Sequence, residues 1–290
     1  MRDTMKDNTM DEPIRPNGSR LITLASPHRQ SPLPDMQSMA QRRRDILALV
    51  QERGKASTDE LAELFATSAV TIRTDLKILS EAGALVRTHG GAIARRENDD
   101  VPIDIKEGLR HAQKARIAAV AAAMIRDGET LILDSGSTTN AIARLIPGLR
   151  LSGINVITNA LNVATTLAAA ANVRLVMLGG VLRPDSLSLS GPQAEAALAG
   201  FSADRLFLGV DSLDPDVGLM TPHLLEAQLN AQMIRASRHV VAVADSSKLM
   251  RRHLSVIAKV EAVHTLVTDD KASPEVVATL QARGVEVILA

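Results

Sequence analysis

The stretch RRRDILALVQERGKASTDELAELFATSAVTIRTDLKILSEAGALVRTHGGAI, Arg42 to Ile93, decides the first part of the fold. A helix is expected over 41–53, with Ile46, Leu47 and Val50 inward and Gly54 as its stop. Ser57 followed by Glu60 three residues on is a capping box and opens a second helix, whose apolar face is Leu61, Leu64 and Phe65. Thr67 or Ser68 caps a third. Its inward residues, Ile72, Leu76 and Leu79, stand at i, i+4 and i+7. That leaves Thr71, Arg73, Thr74 and Lys77 pointing outward. Gly83 ends this helix, and Ala84 to Ile93 read as two short strands around Arg87-Thr88-His89-Gly90-Gly91. Three helices, a tight turn and a basic hairpin are the plan of a winged helix-turn-helix, which places its third helix in the major groove of DNA.

The chemistry of that helix fits the assignment. Arg73 and Lys77 offer donors to guanine, while Thr71 and Thr74 offer hydroxyls and methyls. Ser68 stands at the helix start, where hydroxyls and amides meet phosphate. Arg87 and His89 in the wing lie near the backbone or minor groove. Arg42, Arg43 and Arg44 read either as phosphate contacts or as solvated charge. From Met36 to Arg96 there are ten Lys/Arg against seven Asp/Glu, a local basic excess inside a chain of zero formal net charge. A small helical bundle used for protein contacts has the same helices, but helix lengths, turn and wing in this order favour DNA.

The 290 residues suggest about two domains at ~150 residues each. The chain has no Cys, which excludes disulfides, thiolate metal sites and thiol catalysis. It has no Trp or Tyr, and Phe only at 65, 201 and 207, so the cores must be aliphatic and base-stacking platforms for single strands are disfavoured. No apolar run is long enough to span a bilayer, and 21–25 is too short for a signal-peptide core; the cytoplasm is the expected location. Residues 1–37, rich in Pro, Asp, Ser and Asn, are expected to be a disordered tail. The winged module occupies 38–94, a charged linker 95–106, and a second domain 107–290.

In that second domain a long Ala-rich helix is expected from about 106 to 126. Apolar strands follow at 130–134, 154–158, 173–178, 204–210, 239–245, 262–269 and 285–289, with helices between most of them. Short apolar strands alternating with helices predict an α/β domain, a mostly parallel sheet flanked by helices and buried on both faces.

Polar residues cluster where such strands end, which is where ligands gather in these sheets. The strand 130–134 runs into Ser135-Gly136-Ser137-Thr138-Thr139 at the start of a helix, an arrangement of amides and hydroxyls suited to phosphate. Read alone, the segment fits a plain N-cap turn equally well, and it lacks the glycine and lysine spacing of a Walker loop. Thr158 and Asn159 follow the second strand and Gly179-Gly180 the third. Asp211 follows the fourth, Glu226 lies on the next helix, and Lys248 comes after the fifth. Taken singly, most of these residues suit a core or capping role. The seven His residues form no metal motif, and no metal or cofactor is expected.

Taken together, Arg44, TIRTDL (71–76), Glu81-Ala82-Gly83 and Arg87-Thr88-His89-Gly90-Gly91-Ala92 resemble the DeoR family of bacterial transcriptional regulators. The family usually carries Arg-Arg-Asp in the third helix; Arg73-Thr74-Asp75 here replaces one cation and so alters one base or phosphate contact. The resemblance extends almost to the C-terminus. It implies an effector domain similar to sugar-phosphate isomerases of the ribose-5-phosphate type, with Gly136 to Thr139 matching the phosphate loop and Asp211 and Glu226 matching acidic residues. Those enzymes carry a catalytic Lys between the two acids, and residues 212–225 have none, which implies a sensor rather than an enzyme. Segments 221–230 and 243–260 are most similar to regulators of N-acetylgalactosamine and related amino-sugar catabolism. The expected function is a homo-oligomeric repressor of a carbohydrate operon, released from double-stranded DNA by a phosphorylated sugar. The rivals are an isomerase fused to a DNA-binding module and a scaffold that only oligomerises.

Overall fold

A computed structural model describes residues 36–81, 84–94 and 103–290. The expected tail, Gly83 and most of the expected linker lie outside the described residues, although Met36 and Gln37 belong to the first helix.

The N-terminal module contains α1 (Met36–Arg53), β1 (Lys55–Ser57), α2 (Thr58–Leu64), α3 (Ala69–Glu81), β2 (Leu85–Thr88) and β3 (Gly91–Ala94). Gly54 ends α1 at φ 76°, a left-handed backbone that favours glycine. The Ser57–Glu60 capping box forms in both directions, at 3.2 and 2.8 Å. Between α2 and α3 the chain turns through Ala66 at φ 47°, unusual for a residue with a side chain. Ser68, not Thr67, caps α3: its Oγ accepts from the Thr71 amide at 3.1 Å. Ile46, Leu47, Val50, Leu61, Ile72, Leu76 and Leu79 make one aliphatic core. Leu64 departs from expectation and is 57% exposed, because α2 stops at this residue and only Leu61 and the partly buried Phe65 face inward. The wing is three antiparallel strands in the order β1-β3-β2, so the hairpin read from the sequence gains β1 as a third strand.

The expected helix over 106–126 is two helices, α4 (Ile103–Gly108) and α5 (His111–Ala122). Between them Arg110 takes φ 49°, which breaks the helical path and turns the chain.

Seven strands form the central sheet: β4 (Thr130–Leu133), β5 (Ile154–Thr158), β6 (Val173–Met177), then, beyond two short strands β7 (Val181–Arg183) and β8 (Ser188–Ser190), β9 (Ala203–Gly209). After β10 (Ser212–Asp214) and β11 (Gly218–Thr221) comes β12 (Ser237–Val243); after β13 (Ser255–Ala258) come β14 (Thr265–Thr268) and β15 (Glu286–Leu289). The order is β15-β14-β12-β9-β4-β5-β6, and every pairing is parallel. Helices α6 (Ser137–Leu145), α7 (Leu161–Leu167), α8 (Pro192–Leu198), α9 (Leu224–Arg235) and α10 (Pro274–Ala282) complete the domain.

The period of two along a strand sorts the core. Leu131, Leu133, Val156, Phe207, Val241, Val243 and Val267 pack with α5, α6 and α7 on one face. Ile132, Ile157, Leu206, Leu208, Val240, Ala242 and Leu266 pack with α8, α9 and α10 on the other. From β4 the chain winds outward through β5 and β6, then returns to β4's other side at β9 and winds away through β12. That reversal opens a crevice at the carboxyl ends of β4 and β9.

Candidate functional site

The DNA-facing side of the first module is built on α3. Ile72, Asp75, Leu76 and Leu79 are buried, so Arg73, Thr74 and Lys77 stand on the outer face. Thr71 and Ser68 share a hydroxyl contact of 2.9 Å at the helix start. Thr74 donates to the Val70 carbonyl at 3.0 Å, which leaves its lone pairs and methyl outward. Val70, overlooked in the sequence reading, is 68% exposed on the same stripe one turn before Arg73 and Thr74. An exposed valine there suits the methyl of thymine. Arg87 and His89 are exposed on the wing.

Arg42 and Arg43 are not simply solvated charge. Their Nε atoms donate to the two oxygens of the buried Asp75 at 2.7 and 2.8 Å and tie α1 to α3. Arg44 lies along Gly108: a methyl on that glycine would come 2.1 Å from the arginine Cδ.

In the second domain, the carboxyl ends of β4 and β9 meet through Asp134, whose Oδ1 accepts from the Gly209 amide at 3.0 Å. Burial raises its carboxyl well above the usual range, with Asp211 and Glu226 adding to the effect. Gly136 leads directly into α6. The first intrahelical bond there runs from the Asn140 amide to the Gly136 carbonyl, so the amides of Ser137, Thr138 and Thr139 precede it. The Thr139 hydroxyl is committed to the carbonyls of Asp134 and Gly136, at 3.1 and 2.9 Å. Ser135, Ser137 and the buried Thr138 complete the loop.

Asp211 gathers cations. Lys106 from α4 pairs with its Oδ1 at 3.2 Å, and Thr221 donates to its Oδ2 at 3.0 Å. Burial alone would raise this carboxyl; the ammoniums of Lys106 and Lys248 outweigh it and hold Asp211 well below the usual carboxylate range. Lys248 sits in a short turn after β12, capped by Asp245, and burial lowers its amine. Asp245 also pairs with Arg110 at 3.3 Å. Lys114 from α5 is buried, donates to the Lys106 carbonyl, and is lowered to about 7 by burial. The site therefore holds ammonium groups beside Asp211 although residues 212–225 lack lysine; they arrive from α4 and the turn after β12, with Lys114 of α5 behind them on the Lys106 carbonyl.

Other candidate residues serve the frame. Glu226 is buried and its Oε1 accepts from Arg183, Ser186 and Ser188 at 2.9, 2.9 and 2.6 Å, which closes the β7–β8 hairpin onto α9. The Thr158 hydroxyl accepts from the Ala160 amide at 3.0 Å. Asn159 donates to the Leu189 carbonyl at 3.0 Å, and its buried Oδ1 has no bond among the described residues. Gly180, at φ 122°, lets the Ser190 carbonyl of the adjoining hairpin lie where a side chain would be; Gly179 faces open space. Two open grooves lie at the amino ends of the strands, beside Arg205 and His239 and beside Ser152 and Arg174, away from this cluster. Among the described residues no cluster of metal-ligating groups occurs, and no helix is long and apolar enough to cross a membrane.

A DeoR-like helix-turn-helix model matches residues 42–98, and a DeoR C terminal sensor domain model matches residues 109–270. The chain belongs to the DeoR family. Its two parts are thus a DNA-binding module and a sensor domain, and it is a transcriptional regulator. Among relatives, a putative aga operon transcriptional repressor of Escherichia coli O157:H7 is 36% identical over 253 residues, 86% of this chain and 93% of the relative. The glycerol-3-phosphate regulon repressor of Escherichia coli K12 is 35% identical over 228 residues, 78% and 90%. A solved D-ribose-5-phosphate isomerase in complex with phospho-erythronic acid aligns with 48% of this chain and 54% of its own at a TM-score of 0.38 and 16% identity. In this DeoR-family chain the sequence reading passed over Lys106, Arg110, Lys114 and Asp134. A lone lysine on an Ala-rich helix carries no local signal; only the turn at Arg110 brings those helices to the strand ends.

Proposed function

We propose that this regulator represses a carbohydrate catabolic operon and is released from its operator by a phosphorylated sugar or amino sugar bound at the carboxyl ends of β4 and β9. The observation that carries the reading is the grouping of Lys106 and Lys248 around Asp211, beside the leading amides of α6. Cations and free helix amides suit a phosphate, and a carboxylate suits sugar hydroxyls. The aga operon relative supports an amino-sugar phosphate, and the glycerol-3-phosphate regulon relative supports a phosphorylated ligand. Ser135 to Thr139, Asp211 and Lys248 are the proposed effector contacts. Thr158, Asn159, Gly179, Gly180 and Glu226 shape the surrounding wall. Ser68, Val70, Thr71, Arg73, Thr74, Lys77, Arg87 and His89 form the proposed DNA face.

Release follows by linkage: the ligand lowers operator affinity only to the extent that it prefers the conformation that binds DNA poorly. One module makes few base contacts, so a symmetric oligomer that sets two copies of α3 one helical turn, about 34–36 Å, apart completes the reading. The sensor domain is the proposed platform. Thermal unfolding with a panel of hexose and hexosamine phosphates tests the site, because a ligand of the native state raises the melting temperature. A protein that none of them stabilises, or one that binds operator tightly as a monomer, refutes the proposal.

The Lys106–Asp211 pair also favours one second reading, aldose–ketose isomerisation, since a carboxylate beside an ammonium suits proton transfer next to a polarised carbonyl. Turnover assays on the same panel separate the two: the sensor binds without converting its ligand.

A further inference from the structure

Helix α4 lies between the spans matched by the two family models, and it touches both parts of the molecule. On one side it reaches into the crevice. Lys106 pairs with Asp211, and Glu107 accepts from Asn140 at 2.6 Å and Asn162 at 3.3 Å while its other oxygen pairs with Arg144. Asn140 and Arg144 are on α6, the helix whose first amides open on the site. On the other side, Gly108 lies against the stem of Arg44 in α1, and Leu109 packs on the core of the DNA-binding module. The short helix is pinned at its start by the Ile103 amide on the Asp185 carbonyl at 2.7 Å, and behind by Lys114 on the Lys106 carbonyl.

We propose that Lys106 and Glu107 of α4 belong to the effector site, Lys106 as a ligand-binding ammonium and Glu107 as the residue that positions α6, and that Gly108 and Leu109, outside the site, carry its occupancy to the DNA-binding module. This rests on the sugar-phosphate reading above. A phosphate dianion entering between Lys248 and the α6 amides competes with Asp211 for the Lys106 ammonium. Lys106 is two residues from Gly108, where Arg44 is seated, so any shift of its backbone is delivered to α1.

The test uses the full chain, a DNA duplex selected from a random library, and galactosamine 6-phosphate as probe. Two quantities are read: the probe's thermal shift without DNA, and the ratio of DNA dissociation constants with and without probe. Lys106→Gln is expected to weaken the probe by at least about tenfold, as for loss of a charge-assisted bond, and Lys106→Arg to restore most of it. Gly108→Val, which drives a side chain into Arg44, is expected to keep the probe's thermal shift while the ratio falls from the 5–150-fold range of typical coupling to near unity. Wild-type probe affinity in Lys106→Gln, or a wild-type ratio in Gly108→Val, overturns the proposal and leaves the sugar-phosphate reading standing. A wild-type chain that the probe neither stabilises nor releases from DNA defeats both.

Discussion

The two ends of this molecule display their functional groups in opposite ways. On α3 the candidate contacts come from one stretch of chain between Ser68 and Lys77, and Val70, Arg73, Thr74 and Lys77 stand out from a surface whose structural work is done beneath it. In the crevice the groups are half-buried or buried, already paired, and drawn from positions as far apart as Lys106, Asp134, Asp211 and Lys248. A rigid ligand as large as a duplex requires donors presented on an outer face at a fixed pitch. A small anion requires convergence, which a sheet achieves by ending several strands at one crevice.

The largest expected effect challenges the idea that the DNA face is supported from below. Asp75→Ala removes the acceptor of both Arg42 and Arg43 and leaves two guanidiniums half-buried. Breaking such a pair costs about 3 kcal/mol, so urea unfolding should show the module's transition moved to lower denaturant and operator binding lost with it. An unmoved transition would mean the pair contributes nothing.

Arg73→Ala should cost about 1–3 kcal/mol of operator affinity and relax preference at one base position. Lys77→Ala should relax preference at a second base position. Anisotropy titrations over operator variants read both; a uniform loss across all sequences would show that α3 does not read bases at these positions. Ser57→Ala, which deletes the side-chain half of the capping box and keeps the backbone amide's bond to Glu60, should cost about 1 kcal/mol of module stability and leave the sensor domain's melting unchanged.

A further test concerns the crevice and its pH dependence. Lys114 titrates at about 7 in the folded chain and at its ordinary higher value when unfolded. Between those two values the unfolded chain binds more protons, so this group's contribution makes stability rise with pH, and below about 7 its burial cost is felt in full. Lys114→Met should therefore flatten the slope of stability against pH above 7, read from denaturant midpoints. An equal slope in both proteins would place the amine in water.

The sequence made the first module legible because its information is local. The capping box at Ser57, the i, i+4, i+7 spacing of Ile72, Leu76 and Leu79, and the hairpin glycines act within a few residues, and among the described residues the structure departs from the reading at the start of α1, which begins at Met36 rather than 41, at Leu64, at β1 and at Arg42 and Arg43. The guanidiniums misled because their partner, Asp75, lies more than thirty residues away, and nothing in a helical pattern marks an inward acid as paired. The seven apolar strands of the sheet were equally plain, since strands buried on both faces cannot hide polar residues. In the crevice, the Ser135–Thr139 loop and Asp211 were visible as strand-end signals. Glu226, Asn159 and Gly180 were visible too, but their contacts go to the β7–β8 hairpin, whose strands are too short to announce themselves.

By itself, the sequence determined a helix-turn-helix part and a sheet part, most of their elements and the outward side of α3, because periodicity and caps are short-range and each residue's neighbours along the chain decide them. Only the tertiary structure decided which ammonium faces Asp211. The turn at Arg110 folds α4 and α5 against the strand ends, and that placement depends on long-range packing that no local pattern encodes. The same packing sets Gly108 against Arg44, so that α4 touches both the crevice and α1.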